Sequence, residues 1–387
     1  MKIAFYAPLK PPDHPVPSGD RQLAQALLQA LRAGGHETFV ASRFRSFDGR
    51  GDGIRQTRLR QLGGRLAQRL IARYRNATAP PQVWFTYHLY HKAPDWLGPA
   101  VSRALDIPYV VAEASVAAKQ RDGLWALGYA GSVAAVEAAA ATISLNPVDL
   151  AGLRKLRGAA SADEYVPPFI DLAAFAGPAA DPIAGTRDRG ARVRLITVAM
   201  MRPGAKLASY RLLAAALARI PPPAWELVVV GDGPARADVE AAFARFEPGQ
   251  VRLAGFQAPS RVAAWLRDSD IYLWPAIDEA FGMAFIEAQA CGLPVVAGDA
   301  GGVGAVVAAG RTGLVVPVGD SEAFAAATRR LLTDAALRER MAREAPAYVR
   351  AEHDLPVAAA RIDAVLRAAT ARHIRRAAAA ATPAAAP

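Results

Sequence analysis

Residues 278–288 read Asp-Glu-Ala-Phe-Gly-Met-Ala-Phe-Ile-Glu-Ala and run into Gly292-Leu293-Pro294-Val295-Val296. This stretch places Glu279 in a glycine-containing loop and Glu287 in a short helical pattern that precedes an apolar strand. Ionised carboxylates only accept hydrogen bonds, so Glu279 suits sugar hydroxyls and Glu287 suits the vicinal diol of a nucleotide ribose. The order of loop, helix and strand is typical of an α/β domain, and the two acids predict a nucleotide-sugar site.

The predicted start of that helix adds a second feature. The backbone N–H groups of Phe281, Gly282 and Met283 lie where a helix presents unpaired donors and partial positive charge. We therefore predict that these three residues contact the phosphate oxygens of the donor.

Strand-like apolar runs alternate with helical patterns along the whole chain. This alternation is typical of parallel sheets covered by helices, and it predicts an α/β fold of two doubly wound, Rossmann-like domains. Ligands bind outside the carboxyl ends of such strands, so the two domains are expected to face each other across a cleft. The predicted strands lie near residues 2–7, 38–42, 83–87, 109–112, 142–145, 192–199, 226–230, 251–254, 271–274, 294–297 and 314–316.

Composition suggests the domain boundaries. Residues 171–190 are rich in Ala, Gly, Pro and Asp and predict a linker. We therefore predict an N-terminal domain over residues 1–175 and a C-terminal domain over residues 190–352. A helix over residues 353–375 and a disordered Ala-rich tail over residues 376–387 complete the chain.

Length and composition limit the function classes. The chain has 387 residues, of which 52% are apolar, so two globular domains are expected. No uninterrupted apolar run reaches the length of a membrane span, and the first residues resemble a strand more than a leader peptide. Cys291 is the single cysteine, which agrees with a reducing compartment. We expect a cytoplasmic protein.

The net charge of +11 is partly concentrated in residues 43–75, which contain ten arginines and only two acidic residues, Asp48 and Asp52. This segment predicts a basic amphipathic helix. Two interpretations stay open: an ordinary surface helix, or a surface that docks onto anionic lipid headgroups at the inner membrane. Nucleic acid is not an expected partner, because no aromatic platform, zinc-ligand spacing or recognition-helix pattern accompanies the charge.

Arg202 and Lys206 follow the predicted strand over residues 192–199, in a turn that contains Pro and Gly. Arginine offers a planar fork and lysine a mobile point charge, and together they suit a diphosphate. Both could stabilise a leaving diphosphate as its charge develops. The alternative is a solvated loop.

Further candidate donor-binding residues follow other predicted strands. Gly231 and Gly233 form a turn that would let the backbone approach a ligand. Phe256 follows the next strand and lies beside a base-binding backbone or packs in the core. In the N-terminal domain, Gly19 at a helix start could approach phosphates, although the full dinucleotide fingerprint is absent.

His88 and His91 lie at the carboxyl end of the predicted strand over residues 83–87. Either could act as acid or base near neutral pH or bind a sugar hydroxyl, and a purely structural role is the alternative. The triplet Asp268-Ser269-Asp270 precedes a strand, so we predict a structural role for it. No other grouping has metal-ligand spacing, and no metal requirement is expected.

Taken together, these residues resemble the family 4 retaining glycosyltransferases of the GT-B fold, over nearly the whole chain. The resemblance rests on the Gly19 loop, on residues 167–171 and 231–234, on Arg202 with Lys206, and above all on the Glu-x7-Glu element from Glu279 to Glu287. It implies that Glu279 contacts the donor sugar, that Glu287 binds the ribose, and that the helix over residues 353–375 packs back onto the N-terminal domain.

The resemblance also implies an activity. Such enzymes transfer a hexose from a nucleotide diphosphate sugar to an acceptor hydroxyl with retention of anomeric configuration and without a metal. The expected acceptor is a glycan, a glycolipid or a lipid-linked polysaccharide precursor, bound by the N-terminal domain. A nucleotide-sugar epimerase and a non-catalytic nucleotide-sugar binder remain as alternatives.

One position departs from the family pattern. Many members carry a histidine where this chain has Ala114, in the segment Glu113-Ala114-Ser115. Either His88, His91 or Glu113 takes over its contacts, or the protein works differently.

Overall fold

The computed structural model describes residues 1–16, 18–158, 162–176, 192–221 and 225–381. The chain divides into two compact units. Unit 1 comprises residues 1–167 and the chain from Leu355 onward, and unit 2 comprises residues 168–354. Most of the predicted linker, residues 177–190, and residues 382–387 of the predicted tail lie outside the described residues.

Unit 1 is built on a six-stranded parallel sheet with the order β2-β1-β3-β4-β5-β6. Its strands are β1 Lys2–Tyr6, β2 Glu37–Ser42, β3 Val83–Leu89, β4 Tyr109–Ala114, β5 Ala141–Ser144 and β6 Asp163–Tyr165. Its first helices are α1 Gly19–Ala33, α2 Gly53–Arg75, α3 Gly98–Leu105, α4 Ala126–Ala138 and α5 Pro147–Arg157. The central strands are almost entirely buried, as expected of parallel strands covered by helices on both faces.

The short edge strand β6 is absent from the sequence prediction because its three residues include two acids. Asp163 is nevertheless buried, since Thr142 Oγ1 donates a 2.7 Å hydrogen bond to its Oδ1. Arg157 Nε lies 2.8 Å from the same oxygen. The hydrogen bond and the ion pair together offset the cost of removing the Asp163 carboxylate from water.

Unit 2 contains a second six-stranded parallel sheet, with the order β12-β11-β10-β7-β8-β9. Its strands are β7 Val193–Val198, β8 Trp225–Val230, β9 Val251–Gly255, β10 Ile271–Trp274, β11 Val295–Gly298 and β12 Gly313–Val316. Its helices are α6 Ala173–Ala176, α7 Ala205–Leu217, α8 Arg236–Phe243, α9 Pro259–Arg267, α10 Met283–Ala290, α11 Ser321–Thr333 and α12 Ala335–Glu352. One continuous apolar core fills the space between this sheet and its helices.

The last helix, α13 Leu355–Ala381, belongs to unit 1 and packs against α1 and β5. It runs six residues past the predicted end at residue 375, into the segment expected to be disordered. Ile362, Leu366 and Ala369 on this helix are fully buried. None of the helices described above combines the length and the apolar character that a bilayer crossing requires.

Each sheet has one point where the strand order reverses. In unit 1 this switch point lies between β1 and β3, and in unit 2 it lies between β7 and β10. Connections leave in opposite directions there and open a crevice at the carboxyl ends of the strands. The predicted α/β class with two doubly wound sheets is confirmed, and every predicted strand is present within one or two residues.

Candidate functional site

An ion pair joins the two loops at the switch point of unit 2. Lys206 Nζ, in the first turn of α7, pairs with Glu279 Oε2, in the loop after β10. Trp274, the last residue of β10, donates its Nε1–H to the same oxygen at 3.0 Å. The Lys206 ammonium also lies 5.2 Å from the Trp274 ring centroid, within cation–π range. A cation and an anion are thus held side by side at this edge of the sheet.

Backbone contacts fix the loop that carries Glu279. Ser209 Oγ accepts a 3.0 Å hydrogen bond from Ile277 N, and Gly302 N donates to Ala280 O at 2.7 Å. Ala276 and Asp278 adopt φ angles of 59° and 50°, in the left-handed region that non-glycine residues rarely occupy. Such conformations cost about 1–3 kcal/mol each and concentrate at functional sites. The surrounding hydrogen bonds therefore hold a strained loop, and with it Glu279, in a defined position.

Helix α10 begins at this loop without a side-chain cap. Its N-cap residue is Gly282, with φ 71°, and a side chain there would collide with the ring of Phe285. Phe281 is buried just before the cap, and Met283 is the first helical residue. Because no side chain caps the helix, its first N–H groups and its dipole favour an anion at this position.

Glu287 lies one turn further along α10 and is partly buried. Burial raises the pKa of its carboxyl group to about 7. Within the described parts of the chain, its carboxylate has no hydrogen-bond or ion-pair partner. A desolvated carboxylate without a partner would gain stability from ligand hydroxyl groups that donate to it.

The remaining donor-side candidates lie on the loops after β7, β8 and β9. Arg202 is exposed after β7. Gly231 has φ 143°, and a side chain there would collide with the carbonyl of Ala199, so only glycine lets the two loops meet. Gly233 packs against Met201 in the same way. Phe256 is 75% exposed, so the interpretation that it packs in the core is wrong.

Ten of the twelve predicted site residues therefore lie in unit 2, either on the loops that follow β7, β8, β9 and β10 or on the helices α7 and α10 that two of these loops lead into. Gly19 and His88 lie in unit 1. The ten residues are Arg202, Lys206, Gly231, Gly233, Phe256, Glu279, Phe281, Gly282, Met283 and Glu287.

The switch point of unit 1 carries a second polar cluster. His88 Nδ1 lies 3.2 Å from Asp20 Oδ1, in the first turn of α1, and 4.0 Å from Glu113 Oε2, on β4. The His88 side chain is 21% exposed to solvent. Gly19 is the first residue of α1, and the space beside its Cα is open. Nδ1 faces Asp20, and the opposite ring nitrogen Nε2 makes no hydrogen bond to the described residues.

The residues of this cluster have shifted pKa values, and two of them have strained backbone conformations. Burial lowers the pKa of His88, but the charge of Glu113 and the hydrogen bond to Asp20 outweigh that effect, and the pKa is raised. Burial also raises the pKa of Glu113, whereas the hydrogen bond from His88 lowers that of Asp20. His88 and Glu113 adopt φ angles of 58° and 55°. Four of the five non-glycine residues with positive φ in the described ranges therefore lie beside the two switch points.

Of the three residues considered as substitutes for the absent histidine at Ala114, the structure brings His88 and Glu113 together. His91 instead packs edge-on against Trp125, with ring centroids 5.7 Å apart, and burial lowers its pKa. Ala114 itself is buried.

The structural interpretation of Asp268-Ser269-Asp270 is confirmed. Asp268 forms an ion pair with Arg194, and Asp270 Oδ2 accepts a 2.7 Å hydrogen bond from Arg194 N. These contacts lie at the amino ends of β7 and β10, on the edge opposite the candidate site. Across the residues that the structure describes, no group of three or more His, Cys, Asp or Glu could hold a metal ion.

Sequence reasoning missed the supporting side chains Trp274, Ser209 and Asp20. Trp274 ends the strand directly before the Glu279 loop, and Asp20 follows Gly19 at the helix start after β1. These positions at the carboxyl ends of strands could have pointed to both residues. Ser209 lies inside a helical pattern, and only the folded chain brings it to the Glu279 loop.

Comparison with known proteins agrees with this geometry. Residues 192–334 match the family model described as glycosyl transferases group 1. D-inositol 3-phosphate glycosyltransferase of Rhodococcus opacus is 34% identical over 193 residues, which cover 48% of this chain and 43% of that protein. The aligned part thus spans less than half of this curated relative.

Solved structures resemble the fold over nearly the whole chain. Sucrose-phosphate synthase from Thermosynechococcus elongatus superposes with a TM-score of 0.71, covering 96% of this chain and 100% of that one at 20% identity. HepE from Anabaena in complex with UDP-glucose superposes with a TM-score of 0.68 at 18% identity. The superposition covers 95% of this chain and 100% of that one. The fold is therefore that of the GT-B proteins.

Within that class, residues 192–334 match the model of the glycosyl transferases group 1 family. The chain is consistent with a family 4-like glycosyltransferase, as its sequence motifs predicted.

Proposed function

We propose that the protein transfers a hexose from a nucleotide diphosphate sugar to an acceptor hydroxyl, with retention of anomeric configuration. The observation that carries this proposal is the arrangement at the unit 2 switch point. The Lys206–Glu279 pair, the uncapped start of α10 and Glu287, which has no partner among the described residues, offer complementary groups for a diphosphate, a sugar and a ribose at one edge of the sheet.

Each group has a distinct role in donor binding. The N–H groups of Phe281, Gly282 and Met283 bind phosphate oxygens, and Glu287 accepts hydrogen bonds from the ribose hydroxyls. The exposed ring of Phe256 packs against the base, and the glycines of the β8 loop let backbone groups approach the ligand. Glu279 accepts hydrogen bonds from the donor sugar.

The acceptor oxygen forms a bond to the anomeric carbon as the bond to the diphosphate breaks, and the departing diphosphate, which gains negative charge, takes up the proton that the acceptor hydroxyl releases. Arg202, Lys206 and the N-terminus of α10 stabilise that charge as it develops. Because three positive groups are available, the proposal assigns no step to a metal ion. The acceptor class that fits is a glycan, a glycolipid or a lipid-linked polysaccharide precursor.

The comparisons support transfer over the alternatives. The matched family and the curated relative are described as glycosyltransferases, and the HepE structure holds UDP-glucose. None of the proteins compared above is described as an epimerase, so that alternative has no support from them.

The proposal is tested with purified protein, UDP-, GDP- and ADP-hexoses and a panel of glycan and lipid-linked acceptors. We expect a glycosylated product with the anomeric configuration of the donor, formed equally well after treatment with EDTA. NMR of the product reads the configuration. An inverted product contradicts retention, and a loss of activity with EDTA contradicts metal independence. Isomerised donor without acceptor indicates an epimerase, and nucleotide binding without turnover indicates a binder.

On the acceptor side, we propose that protonated His88 donates its Nε2–H to the acceptor oxygen. His88→Ala should lower kcat/KM for the acceptor about tenfold, the effect of one charge-assisted hydrogen bond, and leave nucleoside diphosphate affinity unchanged. Asp20→Asn should lower the pKa of His88, because it removes a group that raises it. The alkaline limb of the acceptor kcat/KM profile should then move to lower pH. An unmoved limb would rule out His88 as the titrating group.

A further inference from the structure

Helix α2 carries seven arginines and no acidic residue. All seven are exposed: Arg55, Arg58, Arg60, Arg65, Arg69, Arg73 and Arg75. Two carboxylates contact the helix: Asp52, whose oxygen caps the first turn, and the buried Asp48, which accepts a 3.0 Å hydrogen bond from Gln56 Nε2. The helix therefore presents a strongly cationic surface.

None of these arginines forms an ion pair with a carboxylate of the described residues. Their contacts are to backbone carbonyls and a ring: Arg55 to Phe47 O at 3.4 Å, Arg75 to Ala104 O at 3.2 Å, and Arg60 over Trp96 at 5.9 Å. Helix α12 differs, because Glu339 and Glu344 lie among its exposed arginines and Glu339 pairs with Arg343. The unbalanced charge is thus a property of α2 and not of every helix in this arginine-rich chain.

Four of the seven arginines form a stripe along the helix. Arg58, Leu62, Arg65, Arg69 and Arg73 follow each other at intervals of three or four residues, so they share a face. That face is opposite the buried Gln56, Gly63, Ala67, Ile71 and Tyr74. Gly63 packs so closely on Trp96 that a side chain there would collide with it. This close packing fixes the orientation of the helix about its own axis, so that the stripe faces solvent.

Like charges four residues apart repel, so Arg65, Arg69 and Arg73 destabilise the free helix. A surface with negative charge would remove that repulsion.

Exposed aliphatic side chains accompany the charge. Ile54 and Leu124 are each 69% exposed, and Leu62 is 39% exposed. Leu124 is held next to the start of α2, since Gln56 Nε2 donates to its carbonyl at 2.9 Å. Exposed aliphatic residues beside arginines are typical of helices that lie in a membrane interface, whereas surfaces that bind single-stranded nucleic acid add aromatic side chains on which bases stack.

We propose that α2 and Leu124 form a docking surface for a bilayer that contains anionic phospholipids. The arginines bind the headgroups, and Ile54, Leu62 and Leu124 enter the boundary with the acyl chains. This inference goes beyond the proposed transferase activity and does not depend on it, because it concerns a different surface of unit 1.

The test is sedimentation of the full chain with phosphatidylcholine vesicles that contain either no anionic lipid or about 30% phosphatidylglycerol. We expect binding only to the anionic vesicles, with a strong decrease in binding when salt rises from about 0.1 M to about 1 M. The triple variant Arg65→Gln, Arg69→Gln, Arg73→Gln should lose at least about tenfold in partitioning.

A charge-matched control removes three exposed arginines from α12: Arg340→Gln, Arg343→Gln and Arg350→Gln. It should bind within about twofold of the unaltered protein, because its arginines lie outside the proposed surface. Ile54→Ser with Leu124→Ser should weaken the binding that persists at high salt. Equal losses in both triple variants, equal binding to neutral vesicles, or tighter binding to duplex DNA than to anionic vesicles would each overturn the proposal.

Discussion

Glu287→Gln is expected to weaken nucleoside diphosphate binding about ten- to a hundredfold, because hydrogen bonds to a charged group contribute about 1.5–3 kcal/mol. The same substitution should raise the melting temperature of the free protein at pH 8. The carboxylate is desolvated and has no partner among the described residues, so an uncharged amide of the same size removes a cost of folding.

The effects of Glu287→Gln on stability and on nucleotide binding should both depend on pH. Burial raises the pKa of Glu287 from 4.5 to about 7, so the folded state binds more protons than the unfolded state between these values. Stability from this group is complete below pH 4.5 and decreases as pH rises through 7. The stability advantage of Glu287→Gln should therefore be largest at pH 8 and vanish near pH 4.5.

Binding should change in the opposite direction. Protonated Glu287 is a poorer acceptor for the ribose diol, so nucleoside diphosphate affinity of the unaltered protein should decrease as pH falls below 7, and that of Glu287→Gln should not. Calorimetric titration with whichever of UDP, GDP or ADP binds best, at pH 6 and pH 8, measures both. Parallel pH profiles would show that Glu287 does not contact the nucleotide.

Lys206→Gln is expected to lower kcat about 10²- to 10³-fold, the effect of removing one group that stabilises a developing negative charge. Glutamine keeps most of the side-chain length and can still donate a hydrogen bond to Glu279, so the loop after β10 should stay in place. Affinity for the nucleoside diphosphate should decrease much less than kcat, because the N–H groups of α10 still bind it.

A matched control is Arg343→Gln, which removes one exposed cation of unit 2 far along the chain from the site. It should leave kcat unchanged within about twofold. Steady-state kinetics and a melting curve for each variant separate loss of catalysis from loss of folding. A Lys206→Gln variant that is folded and retains full kcat would remove Lys206 from the proposed mechanism.

Sequence patterns predicted the strands well because both sheets are parallel and covered on both faces. Such strands are continuous apolar runs, and the carboxyl ends of consecutive strands must meet at one edge. The two glutamates could be assigned to that edge because the loop and helix that carry them follow the predicted strand over residues 271–274. The edge strand β6 was missed because its burial depends on an ion pair with Arg157, a contact between residues that are not adjacent in sequence.

Other features depend on tertiary contacts that no local pattern contains. The exposure of Phe256 could not be predicted, since an aromatic residue after a strand occurs both in cores and at surfaces. Asp20 and Glu113 gain their importance only when β3, β4 and α1 bring them to His88. The length of α13 was underestimated because an Ala-rich segment is compatible with both a frayed tail and a good helix.

The return of α13 to unit 1 affects how the protein is made. Residues 1–167 leave the ribosome first, but the helix that covers α1 and β5 with Ile362, Leu366 and Ala369 is synthesised after all of unit 2. During synthesis, the first unit therefore keeps an apolar face uncovered until α13 has been made. Unit 1 can reach its final packing only after translation has passed Ala369.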